Sequence, residues 1–204
     1  MLQAIAGPDA SDPTALPVPV PDYAAACRLG VRGMRLGVPD AFYLDGLEPA
    51  TARAFEAALD AFRGEGVEIV SISLPDQMRL SAAGQILLAC EAAAFHRRWL
   101  AERPEDYGAQ VRARLENGLA IPAVTYLEAL RWRAIALTEH LQSVAGVDAF
   151  LAPVSASASP SIAESDVGGG PSAEAVIQRI TRLMRPVNYL GPVSYTHLTL
   201  PTKA

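Results

Sequence analysis

The sequence has few of the residue types that usually mark a metal, redox or lysine-based site. Its 204 residues include one lysine, Lys203, and only two cysteines, Cys27 and Cys90. The cysteines are far apart and lie in helical patterns, which favours buried free thiols over a disulfide. Free thiols are typical of a cytoplasmic protein, and this is the location that we expect.

Long hydrophobic runs and clustered positive charge are also missing. No apolar stretch approaches the roughly 20 residues of a transmembrane helix. Asp9 and Asp12 interrupt the first apolar run, and no basic segment precedes it as in a signal peptide. The net charge of −5 does not favour a nucleic-acid surface, which needs clustered basic residues. We therefore expect neither a membrane nor a nucleic acid among the partners.

Half of the residues are hydrophobic, and about 200 residues suit one domain or most of one. The chain opens on an apolar run of helix formers without an N-cap, which Gly7 and Pro8 bring to an end. Asp9 and Asp12 then suit a turn. This opening is the last turn of a longer helix or, alternatively, a short frayed helix at the chain start.

The next part of the chain has the pattern of a βαβ unit. Residues 34–38 are a short apolar segment that predicts a strand. Pro49 near a helix start, followed by apolar residues three and four apart, predicts a helix that ends at Gly64. Apolar and polar residues alternate over 67–74, which predicts a second strand. The two strands should be parallel and joined by a right-handed crossover.

The second half is predicted to be mostly helical. Helices are expected over 82–100, over 105–118, between Pro122 and Gly146, and over 173–184, with a buried strand at 147–153 and a loop at 154–171. The helix after Pro122 carries apolar residues at alternating spacings of three and four. We expect this stripe to face the core, and its members are Leu127, Leu130, Ala134, Leu137, Leu141 and Val144.

Several residues have the chemistry of a site but the surroundings of structural residues. The alternate serines of 155–161 lack flanking glycines and favour a loop over a nucleophile. Gly168 to Gly170 lack the lysine of a phosphate-binding loop and favour a hinge. His96 and His140 lie in predicted helices without a second ligand at metal-binding spacing. We therefore assign no catalytic residue, no metal and no cofactor.

Three charged residues have alternatives that the sequence leaves open. Glu91 lies among alanine and leucine and is a candidate for a buried carboxylate. A surface position paired with nearby arginines is the favoured alternative. Arg131 and Arg133 are as well placed to bind a substrate carboxylate or a partner chain as to face solvent.

Motifs over residues 1–191 resemble the amidase-signature hydrolases. The opening resembles an I-A-G helix end followed by an Asp-x-x-Asp-Pro-Thr turn. The similar segments that follow, in order, are Gly37-Val38-Pro39, the strand at 67–74, Glu91-Ala92, Ile121-Pro122-Ala123 with Tyr126, Ala129 and Arg131, the segment 148–153, and Arg182 with Asn188-Tyr189-Leu190-Gly191. Each motif is short, but their number and order make the resemblance specific.

This resemblance implies an α/β fold, a large mixed sheet covered by helices on both faces, of which the chain would hold an incomplete part. It also implies hydrolysis of a carboxamide through an acyl-enzyme, with a serine nucleophile activated through a second serine and a lysine. The glycine-flanked double serine of that family is absent here. A lysine acts as a base only when burial or a neighbour lowers its pKa, which the penultimate position of Lys203 does not favour. We therefore expect a chain that begins after the catalytic region and is inactive by itself.

The final residues depart from the family. Residues 192–204 stand where the resemblance implies an L-P-A-x-S-x-P-x-G substrate-pocket segment, and they contain the only lysine and one of three histidines. We expect 1–191 to be the C-terminal portion of an amidase domain and 192–204 to be a non-native tail. A genuine divergent strand over 195–200 is the alternative.

The sequence thus predicts part of an amidase that acts on a small-molecule amide. One alternative is the amidase subunit of a tRNA-dependent amidotransferase. Another is a non-catalytic scaffold or binding module. The amide substrate is not predicted, and a homo-oligomer is compatible with the sequence.

Overall fold

The structure is built from a small parallel β-sheet and a larger layer of helices, which confirms the α/β class. The computed structural model describes residues 1–12, 15, 18–166 and 171–191. The strands are β1 (Arg35–Pro39), β2 (Glu68–Ile72) and β3 (Ala149–Phe150). The helices are α1 (Leu2–Ile5), α2 (Tyr23–Ala26), α3 (Pro49–Gly64), α4 (Gln77–Glu102), α5 (Ala109–Leu119), α6 (Ala123–Ser143), α7 (Ile162–Ser165), α8 (Pro171–Thr181) and α9 (Arg185–Leu190), with a 3-10 turn at Pro104–Asp106.

The predicted βαβ unit is confirmed. Strands β1 and β2 are parallel, with Arg35 opposite Glu68 and Pro39 opposite Ile72. Helix α3 connects them and buries Phe55 and Leu59. Strand β3 pairs in parallel with the other edge of β1, which gives the order β2-β1-β3.

Glycine at the middle of β1 permits this packing. A β-carbon added to Gly37 would lie 2.8 Å from Cδ1 of Ile72 and 3.2 Å from the side chain of Val147. Next to it, the Arg35 amide donates to the Asp148 carboxylate at 2.7 Å, and the Asp148 amide donates to the Arg35 carbonyl at 2.8 Å. These bonds hold the segment that leads into β3 against the start of β1.

Helix α4 is the centre of the helical layer. The carboxylate of Asp76 accepts from the Arg79 amide at 3.0 Å and caps its N-terminus, five residues before the predicted start. Helices α5, α6 and α9 all pack on it. The core cluster of this layer consists of Leu80, Ala83, Leu87, Ala129, Ala136, Tyr189 and Leu190.

The predicted core stripe of α6 is wrong for four of its six residues, whereas Leu137 is half-buried against the core and Val144 is half-buried. The residues of α6 that are buried are Ala129, Ala136 and His140. Leu127, Leu130 and Leu141 are 43%, 40% and 50% exposed, and Ala134 is exposed as well. On the face that meets α4 and α9, the buried alanines lie beside the larger side chains of Trp132 and Leu137. Leu127, Leu130 and Leu141 form a second apolar face on the other side of α6.

The cysteine prediction is correct in one respect and wrong in another. Cys27 and Cys90 are both free. Neither is buried, because Cys27 follows the single turn of α2 and is exposed, whereas Cys90 is half-buried on α4. Burial, followed by the neighbouring charge of Glu91, raises the pKa of Cys90.

Two predictions concern residues that the structure does not describe. The glycine run at 168–170 and the tail at 192–204 lie outside the described residues.

Across the part that is described, no helix combines the length and apolar character needed to cross a bilayer.

Gly118 allows α5 to approach α4, and its replacement should be destabilising. A β-carbon there would collide with the Ala89 carbonyl and lie 2.8 Å from Cβ of Ala93. Overpacking of this kind costs about 1–3 kcal/mol, so Gly118→Ala should lower the free energy of unfolding in a urea titration. Gly64→Ala in α3 is the matched control, because no atom lies within 4 Å of its new methyl group. Equal stability of the two variants would contradict the close contact.

His140 should make the fold sensitive to acid. Its side chain is 2% exposed, its ring lies edge-on to Phe150 at 5.7 Å, and Nδ1 has no hydrogen-bond partner among the described residues. Burial lowers the pKa of His140 from its ordinary 6.5, so the unfolded chain binds the proton more readily than the folded one. Stability from this residue is therefore complete above pH 6.5 and falls as the pH drops below it.

The measurement is the free energy of unfolding of the wild type and of His140→Leu at pH 7.5 and at pH 5.5. We expect the wild type to lose more stability than the variant on acidification. The same pH dependence in both proteins would show that His140 is not the group responsible.

Candidate functional site

A pocket of about 280 Å³ opens between α4, α6 and α9, and we call it the Gln85 pocket. Its lining residues are Gly84, Gln85, Leu87, Leu88, Glu91, Arg133, Arg185, Asn188 and Tyr189. Polar and charged groups from three separate helices converge on it, with leucines along one wall. Such a combination is typical of small-molecule sites.

A cleft of similar volume lies at the carboxyl ends of β1 and β2. Its buried polar groups bond to one another. The Tyr43 hydroxyl donates to Gln77 Oε1 at 3.1 Å, and the Gln77 amide nitrogen donates to the Pro75 carbonyl at 2.6 Å. Asp76, on its rim, is occupied in capping α4. The Gln85 pocket is the better candidate because it retains unused hydrogen-bonding capacity.

Helix α4 contributes the neutral and acidic groups of the pocket. Oε1 of Gln85 is buried and has no hydrogen-bond partner within the described part of the chain. Leaving such an acceptor unpaired costs about 1–3 kcal/mol, so a ligand that donates a hydrogen bond to it relieves part of that cost. One turn and a half further along, Glu91 accepts from the Tyr126 hydroxyl at 3.4 Å.

Tyr189 of α9 forms the floor of the pocket. It is 4% exposed, its hydroxyl donates to the Ala129 carbonyl at 2.5 Å, and its ring stacks on Trp132 at 5.9 Å. A β-carbon on Gly84 would lie 3.0 Å from Cβ of Tyr189. A glycine at position 84 therefore lets α9 approach α4 and brings its polar residues to the pocket.

Two arginines and one carboxylate, that of Glu91, line the pocket, so its described charged groups sum to a positive charge. Arg133 projects from α6, and Arg185 comes from α9 with only 9% of its surface exposed. Burial raises the pKa of Tyr189, and the charges of Arg133 and Arg79 oppose that rise. Guanidinium groups bind carboxylates and other anionic oxygens through charge-assisted hydrogen bonds. The pocket therefore favours a ligand that carries an anionic or strongly polarised oxygen.

The described lining of the pocket includes no serine, threonine, cysteine, lysine or histidine. Its one carboxylate, Glu91, accepts from the Tyr126 hydroxyl, and the Tyr189 hydroxyl donates to the Ala129 carbonyl. The arrangement is therefore suited to binding and orienting a polar molecule.

The structure gives different positions to Glu91, Arg131 and Arg133, the three charged residues whose roles the sequence left open. Arg133 lines the pocket, whereas Arg131 is exposed on a different face of α6. Glu91 is exposed rather than buried, and its carboxylate bonds to the hydroxyl of Tyr126. Glu91 therefore takes the surface position that was the favoured alternative.

The serine-rich loop and the histidines lie away from the pocket. Ser155 donates to the Ser157 carbonyl at 2.9 Å, and Ser161 forms a capping box with Glu164 at the start of α7. His96 Nδ1 lies 3.0 Å from the Tyr107 hydroxyl. In the described residues, no group of three histidine, cysteine or acidic side chains could hold a metal ion.

Sequence reasoning missed Gln85, Arg185 and the site role of Asn188 and Tyr189. Arg185 carried a usable signal, since it is a charged residue within the otherwise apolar segment around α9. Gln85 carried none, because one glutamine on a long helix is unremarkable until its neighbours in space are known.

Comparison with known proteins gives a consistent result. The amidase family model matches residues 1–203. An amidase of Pseudomonas putida is 37% identical over 153 residues, which cover 75% of this chain and 33% of the relative. A glutamyl-tRNA(Gln) amidotransferase subunit of Geobacter sulfurreducens is 34% identical over 178 residues, which cover 76% of this chain and 37% of the relative.

A similar solved structure is described as a vestigial protein complex that reveals the origins of an s-triazine catabolic enzyme. It superposes with a TM-score of 0.78 and 26% identity, over 93% of this chain and 40% of its own. The chain thus spans about a third of the length of the curated relatives that it matches.

Two substitutions at Tyr189 should separate its hydrogen bond from its packing. Tyr189→Phe keeps the stacking on Trp132 and removes the bond to the Ala129 carbonyl, which should cost about 0.5–1.5 kcal/mol. Tyr189→Ala also removes the ring and should cost about 3–5 kcal/mol, as for other large aromatic truncations. Both values come from chemical unfolding followed by Trp132 fluorescence. A cost for Tyr189→Ala no larger than that for Tyr189→Phe would mean that the ring does not support the pocket.

Proposed function

The chain belongs to the amidase family, and on that premise we propose that it supplies the substrate-binding side of a carboxamide hydrolase. The observation that carries the proposal is the buried, unpartnered Oε1 of Gln85 in a pocket that Arg133 also lines. A primary carboxamide has two N–H donors for such an acceptor. A small amide therefore matches the unused hydrogen-bonding capacity of the pocket.

The charge of the pocket points to the rest of the substrate. Arg133 and Arg185 favour an amide that also carries a carboxylate. In this arrangement the guanidinium of Arg133 holds the carboxylate, and Gln85 accepts from the amide nitrogen. Asn188 also lines the pocket, and its side-chain amide has both donor and acceptor atoms that can orient the ligand.

The hydrolytic step implied by family membership is attack of a serine hydroxyl on the amide carbonyl. The C–N bond breaks, the nitrogen leaves with a proton, and water then releases the acyl group as a carboxylic acid. We propose that this chain does not perform the step by itself, because the described lining of the pocket includes no serine, threonine, cysteine or lysine. Its one lysine, Lys203, is the penultimate residue.

A second candidate is the amidase subunit of a tRNA-dependent amidotransferase. The observation in its favour is that the amidotransferase relative is nearly as similar as the amidase, at 34% against 37% identity. In that case the amide would be the side-chain carboxamide of an amino acid, and the chain would work with protein partners.

Binding and turnover test the proposal separately. Ligand-detected NMR on the purified chain should show weak binding of succinamate, an amide with a carboxylate, and weaker binding of the neutral amide propionamide. Arg133→Gln should reduce succinamate affinity about tenfold, which corresponds to the loss of about 1.4 kcal/mol expected for a charged hydrogen bond. Arg97→Gln, an exposed arginine of α4 outside the pocket lining, should leave the affinity unchanged.

In the turnover assay, the purified chain should release no more ammonia from succinamate or propionamide than buffer alone does. Turnover that a serine-directed covalent probe abolishes would contradict the inactivity of the chain. Equal binding of both amides, unaffected by Arg133→Gln, would contradict the substrate pocket and favour a non-catalytic scaffold.

A further inference from the structure

Residues 40–47 connect β1 to α3 and contribute one wall of the cleft at the carboxyl ends of β1 and β2, and we call them the flap. Both ends of the flap are fixed by backbone hydrogen bonds. At its start the Asp40 amide donates to the Ile72 carbonyl at 3.1 Å, and just after its end the Glu48 amide donates to the Ala156 carbonyl at 2.8 Å. A movement of this wall is therefore confined to the residues between these two bonds.

The backbone of the flap is strained at Phe42. Its φ is +47°, which is the only positive φ of a non-glycine residue in the described part of the chain. The Tyr43 amide donates to the Ala41 carbonyl across it, so Phe42 stands at the centre of a γ-turn with positive φ, a rare and strained type. A residue with a β-carbon disfavours this region and stays there only where the surrounding structure holds it.

Two contacts with distant parts of the chain hold this conformation. Tyr43 is 2% exposed, and its hydroxyl donates at 3.1 Å to Oε1 of Gln77, which lines the cleft from the start of α4. Arg182 follows α8, and its Cζ lies 5.0 Å from the centre of the Phe42 ring. Nη2 of the same arginine donates to the Asp45 carbonyl at 2.7 Å. The flap is thus fastened once to α4 and once to the segment between α8 and α9.

We propose that the flap opens and closes while the rest of the fold stays intact, and that Arg182 is the latch that keeps it closed. Opening breaks the bond between Tyr43 and Gln77 and lets the φ of Phe42 return to the negative range, which releases the strain. A cation–π contact and a single hydrogen bond contribute little enough energy to break and re-form reversibly. The flap belongs to the cleft and not to the Gln85 pocket, so this device does not depend on the proposed function.

Hydrogen exchange followed by mass spectrometry compares opening of the flap with unfolding of the whole chain. The Tyr43 and Glu48 amides are hydrogen-bonded in the closed conformation, so they exchange only when the flap opens or the chain unfolds. We expect the slowest amides of residues 40–48 to exchange at least tenfold faster than the slowest amides of α4. Equal rates would show that the flap opens only when the chain unfolds, and would overturn the proposal.

Alanine and glycine at position 42 test whether opening releases strain. Both substitutions remove the ring and its contact with Arg182, but only alanine keeps a β-carbon at positive φ. The flap of Phe42→Ala should therefore exchange about threefold faster than that of Phe42→Gly. At Leu44, whose φ is not positive, the order should reverse, because glycine there only adds freedom to the open loop. Exchange in Phe42→Gly that equals or exceeds that in Phe42→Ala would overturn the release of strain.

A second pair of variants tests the latch. Arg182→Gln should raise the exchange of the flap amides about tenfold, the effect of losing a cation–π contact and a hydrogen bond. Arg179→Gln removes an exposed arginine one turn earlier on α8 and should leave flap exchange unchanged. Equal flap exchange in the two variants, or an increase in Arg182→Gln that the slowest amides of α4 share, would overturn the role of Arg182 as a local latch.

Discussion

Helix α4 contacts three other helices, and small residues determine how closely each one approaches. Gly118 places α5 against the Ala89 carbonyl, and Gly84 admits the ring of Tyr189. Ala129 and Ala136 do the same on the side of α6 that faces the core. Because close-packed interiors tolerate little added volume, these positions couple the helices to one another. The Gln85 pocket exists only at the distances that this packing imposes.

The same packing buries a charged side chain, that of Arg185, at a position that the sequence does not predict. Tyr189 stacks on Trp132, and Arg79 covers the outer face of that ring at 4.1 Å. Arg185 lies on the same short helix as Tyr189 and is only 9% exposed. A guanidinium remains charged when buried, so its environment must supply anionic or dipolar partners. A pocket with such residues is suited to polar ligands and unsuited to purely apolar ones.

Sequence reasoning succeeded where the signals are local. Pro49 and Gly64 bound α3, and the alternation at 67–74 contains β2. It failed where two faces of one element are both apolar. The spacing of the α6 leucines identifies a stripe, but not whether the stripe faces the core, since that choice depends on how closely α4 approaches. Local signals say even less about the pocket, because its residues come from three helices and are up to 105 positions apart in the sequence.

Helix α6 links these features because it presents different residues on different faces. Arg133 and the buried alanines face α4 and α9, whereas Leu127, Ala134 and Leu141 face outward. A helix packed on one side only can shift along its groove, and any shift moves the guanidinium of Arg133 relative to Gln85. Because hydrogen bonds weaken with distance and misalignment, the pocket depends on the packing that holds the inner face of α6 against α4 and α9.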